Sequence, residues 1–179
     1  MRVVGGSERG RALRSPKGHD IRPTSDRVRE AVFNMVDTLG GVDDATVVDL
    51  FAGTGALGIE ALSRGAASAV FVERDRSAAA LVQENLDALG LAERGKVVRL
   101  DVVRWLETAG PFEVAFADPP YAFEQWPVVF ERVRAQLLVA ESNRELDLGG
   151  RWELLRCKRY GSTVVHVAHT ALDSPGDLR

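Results

Sequence analysis

Val47-Val48-Asp49-Leu50-Phe51-Ala52-Gly53-Thr54-Gly55-Ala56-Leu57-Gly58 leaves this chain few architectures, because an apolar strand runs into a glycine-rich turn and straight on into a helix. That is the first half of a β-α-β unit, and such units stack into a parallel sheet covered by helices. The rest of the chain agrees. Residues 69–72, 96–100 and 112–117 read as strands. Val28, Ala31, Val32, Met35, Val36 and Leu39 recur at helical spacing, which predicts a helix over residues 25–39 closed by Gly40-Gly41. Residues 56–64 and 77–89 are the next helices, stopped by Gly65 and Gly90. Residues 152–158 and 163–167 flank Tyr160-Gly161-Ser162 and read as a closing antiparallel hairpin. The expected class is α/β, doubly wound, with a mostly parallel sheet and a C-terminal antiparallel hairpin.

Gly53, Gly55 and Gly58 satisfy the G-x-G-x-x-G spacing of dinucleotide sites, and Glu73, closing the next strand, is placed to hold ribose hydroxyls. Asp49 argues against a nicotinamide cofactor, since a carboxylate at the strand end would face the pyrophosphate with like-charge repulsion. S-adenosylmethionine carries an ammonium and a sulfonium instead. A negative Asp49 suits it, and the glycines then serve close backbone approach rather than phosphate binding. Asp101 follows the 96–100 strand, where an adenine amino group could be held. Asp49, Glu73 and Asp101 are therefore expected to converge at the carboxyl edge of the sheet, where open α/β folds bind ligands.

A fourth acid opens Asp118-Pro119-Pro120-Tyr121, directly after the fourth apolar strand. An aromatic NH2 is a poor nucleophile while its lone pair is delocalised into the ring. The Asp118 side chain and the Pro119 carbonyl could each accept one N–H, leaving the pair directed at an incoming methyl group. Prolines fix φ and hold such carbonyls in a set direction. Tyr121 would give a flipped base an aromatic face to stack on. Asp and Pro also suit an ordinary strand-to-loop exit. The glycine turn and the three upstream acids favour methyl transfer to an exocyclic amine.

The chain resembles the RsmD family of bacterial small-subunit ribosomal RNA guanine-N2 methyltransferases. The resemblance rests on Met1-Arg2-Val3-Val4-Gly5-Gly6, Arg9-Gly10-Arg11, the segment Arg22-Pro23-Thr24-Ser25-Asp26-Arg27-Val28-Arg29-Glu30-Ala31-Val32-Phe33-Asn34, the block from Asp49 to Ala66, and Asp118 to Tyr121. The cofactor blocks occur in many methyltransferases, whereas Arg22 to Asn34 is specific to the family. The resemblance implies a Rossmann-like class I S-adenosylmethionine-dependent methyltransferase with a seven-stranded sheet. Its implied substrate is the guanine at position 966 of 16S rRNA, in the small subunit or an assembly intermediate. It implies cofactor contacts from Asp49, Phe51, Gly53, Thr54, Gly55, Glu73, Asp101 and Asp118, joined by Arg22, Thr24 and Arg27. Catalysis falls to Asp118, Pro119, Pro120 and Tyr121. One departure is the segment after Tyr121, which is shorter than the family usually has and blurs the start of the fifth strand.

A formal net charge of −3 sits awkwardly with RNA, because phosphate contacts call for Lys and Arg. Residues 1–34, however, hold eight basic side chains against four acidic ones, a local net of +4 against −7 for the remainder. Residues 1–24 are therefore expected to form a basic RNA-binding arm, with Arg2, Arg9, Arg11, Arg14 and Lys17 on phosphates. A methyltransferase domain would follow over 25–172, and a polar tail over 173–179. The lone Cys157 leaves no internal disulfide, and no stretch resembles a membrane span or signal peptide, so a cytoplasmic monomer is expected. His19, His166, His169 and Cys157 lack the paired spacing of structural zinc sites, so no metal is expected. Two readings compete. A DNA adenine-N6 methyltransferase uses a similar tetrapeptide, but a chain this short lacks an evident target-recognition domain. A non-catalytic ribosome-assembly factor need not retain Asp118 to Tyr121.

Overall fold

A computed structural model of the chain describes residues 1–15 and 26–171. Its elements are α1 (Asp26–Asp37), β1 (Thr46–Leu50), α2 (Ala56–Ser63), β2 (Ser68–Val72), α3 (Arg76–Leu89), β3 (Gly95–Val98), α4 (Val102–Trp105), β4 (Phe112–Ala117), α5 (Trp126–Arg132), β5 (Ala135–Ser142), β6 (Trp152–Tyr160) and β7 (Thr163–Thr170). One seven-stranded sheet runs in the order β3-β2-β1-β4-β5-β7-β6. Its first five strands are parallel; β7 pairs antiparallel with β5, and β6 with β7. The chain order reverses at β1, so the crevice between β1 and β4 is the topological switch point where such folds bind ligands.

The expected strands and helices are present, with shifted ends. β3 stops at Val98, whose carbonyl accepts Glu73 N–H, and the chain then leaves the ladder so that Asp101 can cap α4. After Tyr121 the chain forms the seven-residue α5, which fixes the start of β5 at Ala135. Alternation along the strands builds two cores, one on each sheet face. Val47, Phe71 and Phe116 pack under α1, α2 and α3; Val48, Leu50 and Ala115 pack under α4 and α5. No helix among the described residues is long and apolar enough to cross a membrane.

The N-terminal segment differs from the arm expected of it. Arg2 bridges Ala12 antiparallel, and the carbonyls of Met1 and Val3 accept Leu13 and Gly10 N–H. Val3 and Leu13 are buried in the core beneath α1 to α3, so apolar burial, not charge, decides where residues 1–15 lie. Backbone bonds join them to α2: Ser7 N–H donates to the Ser63 carbonyl at 2.7 Å, and Val4 N–H to Glu60 Oε2 at 2.9 Å. Gly6 makes this docking fit. At φ 73° a Cβ there would lie 1.9 Å from the Ser63 carbonyl oxygen. Gly6→Ala is therefore expected to cost roughly 1–3 kcal/mol and to open residues 1–15 to proteolysis while α1 to β7 stay folded. Limited proteolysis and thermal melting check this, and unchanged protease resistance would contradict it.

The cations of this segment are correspondingly committed. Arg11 donates to Glu8 at 2.6 Å and to the Ala88 carbonyl at the end of α3; Arg14 pairs with Glu84 at 2.8 Å, and Arg2 lies 3.6 Å from Asp26. Arg29, counted among the basic charges of the sequence, is wholly buried beside Asp26 and Glu60. Arg9 is exposed. Lys17, Arg22 and Thr24 lie outside the described residues, as do His19 and the 173–179 tail.

Candidate active site

The turn after β1 is organised by carboxylates. Asp49, 2% exposed, lies inside β1 opposite Phe71 and Phe116, and its Oδ2 accepts Gly58 N–H at 2.9 Å. Gly58 is small for a reason: a Cβ there would meet the Phe71 ring at 2.3 Å, so α2 could not lie this close to β2. Glu73 Oε2 accepts Gly53 N–H at 2.9 Å, and its Oε1 accepts Asp75 N–H at 2.8 Å. Each carboxylate oxygen has two lone pairs, so Glu73 can steady the turn and still accept from ribose hydroxyls. Asp101 Oδ1 caps α4 through Val103 and Arg104 N–H, which orients the carboxyl at the sheet's carboxyl edge.

Asp49 departs from the simple negative charge expected of it. Burial pushes its carboxyl well above the usual range; Gly58 N–H partly opposes this, and the carboxylates of Asp118 and Glu73 add to the rise. Glu73 and Asp118 directly follow β2 and β4, the two strands that flank β1, so their charges act on Asp49 from both sides. A cation placed among them would lower the cost of ionising Asp49.

Phe51 has φ 65°, a conformation that costs a non-glycine residue energy and is held only where the surroundings demand it. Its ring meets Phe123 edge-on at 4.8 Å, Phe123 meets Trp126 at 5.5 Å, and Trp126 stacks on Phe130 at 5.3 Å. These rings couple the turn after β1 to the loop after β4. Trp126 is 5% exposed and serves that packing, so it offers no free face to a base.

Asp118 to Tyr121 leave the end of β4 beside this turn. Asp118 is half-buried, Pro119 buried, and Pro120 and Tyr121 exposed. The Pro120 carbonyl accepts Phe123 N–H at 2.8 Å, closing a turn, whereas no hydrogen bond among the described residues reaches the Pro119 carbonyl. Tyr121 Oη lies 3.3 Å from Thr163 Oγ1 of β7, which fixes one end of a ring that is 39% exposed. An open concavity of about 540 Å³, lined by Thr46, Phe112, Glu113, Arg134 and Arg151, sits at the opposite edge of the sheet. Glu113 there is held below the usual carboxylate range by the Thr46 hydroxyl and amide, and no acids converge. The chemistry belongs at the carboxyl edge.

A family model described as Conserved hypothetical protein 95 matches residues 1–169. The putative rRNA methyltransferase YlbH of Bacillus subtilis is 39% identical over 181 residues, 93% of this chain and 97% of that protein. The ribosomal RNA small subunit methyltransferase D of Escherichia coli is 43% identical over 122 residues, 68% of this chain and 60% of that protein. The chain belongs to the RsmD family. A solved structure described as putative methyltransferase yhhF from Escherichia coli superposes with a TM-score of 0.83 at 34% identity, over 95% of this chain and 97% of that one.

In this RsmD-family chain the strand-end acids and the glycine turn come together at one crevice: Asp49, Phe51, Gly53, Thr54, Gly55, Glu73 and Asp118. Arg27 is exposed on α1, and the structure shows no bond from it to the turn. The sequence reading missed Asn85. This buried side chain donates to the Thr54 carbonyl at 3.0 Å and accepts Arg14 N–H at 2.8 Å, tying the turn to the N-terminal segment. Its signal was present: Asn85 falls on the stripe Ala79, Val82, Leu86, Leu89 that α3 buries. His166 accepts Leu146 N–H at 3.1 Å and burial lowers its pKa, while His169 lies 3.1 Å from Glu153. Neither belongs to a cluster of potential metal ligands among the described residues.

Proposed function

We propose that this RsmD-family protein transfers a methyl group from S-adenosylmethionine to the exocyclic N2 of a guanine in small-subunit 16S rRNA, at position 966. The observation that carries the reading is the register of β1 on β4, Asp49 level with Phe116 and Leu50 with Ala117, which brings Asp118 and a Pro119 carbonyl that no hydrogen bond among the described residues reaches to the edge where Asp49 is buried. A cation placed beside Asp49 would lower the cost of ionising it, which suits a cationic cofactor, and the turn from Gly53 to Gly58 allows its close approach. S-adenosylmethionine supplies an electrophilic methyl on a sulfonium.

The chain's own residues do the rest. Tyr121 gives a flipped guanine a face to stack on, and Asp118 and the Pro119 carbonyl each accept one N–H of its 2-amino group. This turns the nitrogen lone pair toward the methyl carbon. Displacement forms the N–C bond as the C–S bond breaks, and rate comes mainly from alignment. The nitrogen then sheds a proton to Asp118 or, through it, to water.

Asp49→Asn tests the cofactor side. Asn keeps an acceptor for Gly58 N–H but carries no charge, so cofactor affinity is expected to fall roughly 10- to 100-fold, the worth of one charge-assisted bond. Wild-type affinity should also weaken as pH falls through the raised Asp49 pKa, and the variant should lose that dependence. Stability runs the other way. A carboxyl raised in the folded state contributes stability below its ordinary range and loses it as pH rises through the folded value. The variant's melting temperature without cofactor should therefore gain on wild type over that rise. Calorimetric titration and melting at several pH values check both signs.

The reaction itself is tested with tritiated S-adenosylmethionine and small subunits from a strain lacking the gene, followed by nucleoside analysis. The expected product is N2-methylguanosine at one site. Label in DNA as N6-methyladenine would replace this reading with an adenine methyltransferase, and no label in either would leave a binding factor.

A further inference from the structure

We propose that β6 and the loop before it form the surface that holds the phosphates of the substrate RNA, with Arg144, Lys158 and Arg159 as its cations. The inference rests on the rRNA-methylation reading and puts the RNA along the outer strand of the sheet.

β6 is the outer strand of the sheet, and most of its side chains are exposed. From Leu154 to Thr163 the chain carries Arg156, Lys158 and Arg159 and no acid. Among the described residues Lys158 and Arg159 make no ion pair, in contrast to Arg2, Arg11 and Arg14. The nearby acids are Glu153, taken by His169, Asp147, which accepts Gly149 N–H, Glu145, exposed in the loop with Arg144, and Glu141, which lines the cleft with Arg144 but is buried. Cations elsewhere, Arg76, Lys96, Arg99 and Arg104 among them, also make no ion pair among the described residues; what marks β6 as a footprint for a polyanion, on a chain of net charge −3, is a run of three cations without an acid on the outer strand.

Register puts this edge beside the reacting groups. Ala117 is level with Ala140, Ser142 with Val164, and Val164 with Arg159, so Arg159 lies in the same row as Pro119. Three strand spacings separate them, roughly 14 Å. The β6–β7 turn thus projects from the same carboxyl edge as Asp118, and Thr163 in it touches Tyr121. Arg144 lines the small cleft formed by Pro119, Pro120 and Tyr121. A strand of RNA whose base sits at Tyr121 would find Arg144 next to it and Arg159 and Lys158 beyond.

A protein strand is the weaker occupant for this edge. Lys158 and Arg159, with the bulge between Leu154 and Arg156, are devices that keep outer strands from pairing with another chain.

The test is the triple variant Arg144→Ala/Lys158→Ala/Arg159→Ala assayed on small subunits across a salt series. With about 0.7 of the salt slope lost per phosphate contact, the variant's slope should be flatter by roughly 2. A fourfold rise in salt should then cost the wild type ~16-fold more in kcat/KM than it costs the variant. KM for the subunit should rise while kcat, cofactor affinity and melting temperature hold, and Lys158→Arg alone should behave as wild type. Arg159→Glu alone should raise KM in the same direction. A wild type that methylates subunits beside a triple variant with the same KM and slope would overturn the surface while leaving the reaction intact. A variant that changes oligomeric state instead of KM would overturn it in favour of strand pairing. A wild type inactive on subunits would remove the reaction on which the surface rests.

Discussion

Asp118→Ala is expected to lower kcat for methyl transfer by at least about a thousandfold while cofactor affinity stays within a few-fold of wild type. Two losses combine. The carboxyl orients the 2-amino group and offers a proton acceptor; proton transfer by a placed side chain is commonly worth 10²–10⁴, and misalignment of reactants costs more. Cofactor affinity survives because the turn is held by other groups, Asp49 on Gly58 N–H and Glu73 on Gly53 N–H. Attraction lost with the Asp118 carboxylate is partly offset, because that carboxylate raises the Asp49 pKa and its removal makes Asp49 easier to ionise. Asp118→Asn separates the two contributions. It keeps one acceptor for an N–H but takes no proton, so it should recover part of the alignment and none of the proton acceptance. Single-turnover rates and equilibrium cofactor binding decide the matter. Loss of cofactor affinity in step with rate would assign Asp118 to the cofactor and leave the amine without its acceptor.

The parts of this protein legible in its sequence are those fixed by local pattern. Strand, glycine turn and helix follow one another within 47–58, and an acid closing a strand must stand at the sheet's carboxyl edge once the strands are parallel, which is why Asp49, Glu73 and Asp101 are expected there from sequence. The N-terminal segment could not. Eight basic residues in 1–34 suggest an arm, but Val3 and Leu13 are buried and Arg29 is fully enclosed, and only tertiary contacts reveal that. Charge counted along a chain does not say which charges are paired across it. Among the described residues the cations of β6 make no ion pair, yet alternation of Arg, Cys, Lys and Arg there reads as an ordinary solvated strand face. The raised carboxyl of Asp49 was not legible, because it depends on burial and on two neighbouring acids that follow other strands.

Glu60→Gln is expected to be the most destabilising single change of charge, at about 3–5 kcal/mol, because it breaks a buried ion pair from one side. Glu60 is fully buried in α2, amid side chains that are otherwise small or apolar. Its Oε2 lies 3.6 Å from Arg29 Nε and accepts Val4 N–H, and its Oε1 accepts Arg64 Nε–H at 2.9 Å. Arg64 reaches on to Asp37 at 3.1 Å and stands 4.9 Å over the Phe33 ring. One carboxylate therefore joins α1, α2 and the N-terminal segment. Gln supplies a single neutral acceptor, so the enclosed Arg29 loses the Glu60 carboxylate as counter-charge while the half-exposed Asp26 stays at 2.9 Å. For a domain of this size the loss corresponds to roughly 6–20 °C in Tm. The double variant Arg29→Met/Glu60→Leu should recover most of that loss, since apolar side chains of similar volume replace buried ion pairs at little cost. Kinetics distinguish this effect from one on the active site. Asp118 and Asp49 sit on β4 and β1, so Glu60→Gln assayed well below its Tm should keep wild-type kcat. A Tm within about 2 °C of wild type, or less than 1 kcal/mol at 150–250 residues, would show that water or rearrangement relieves Arg29 and that the network does not hold the segment in place.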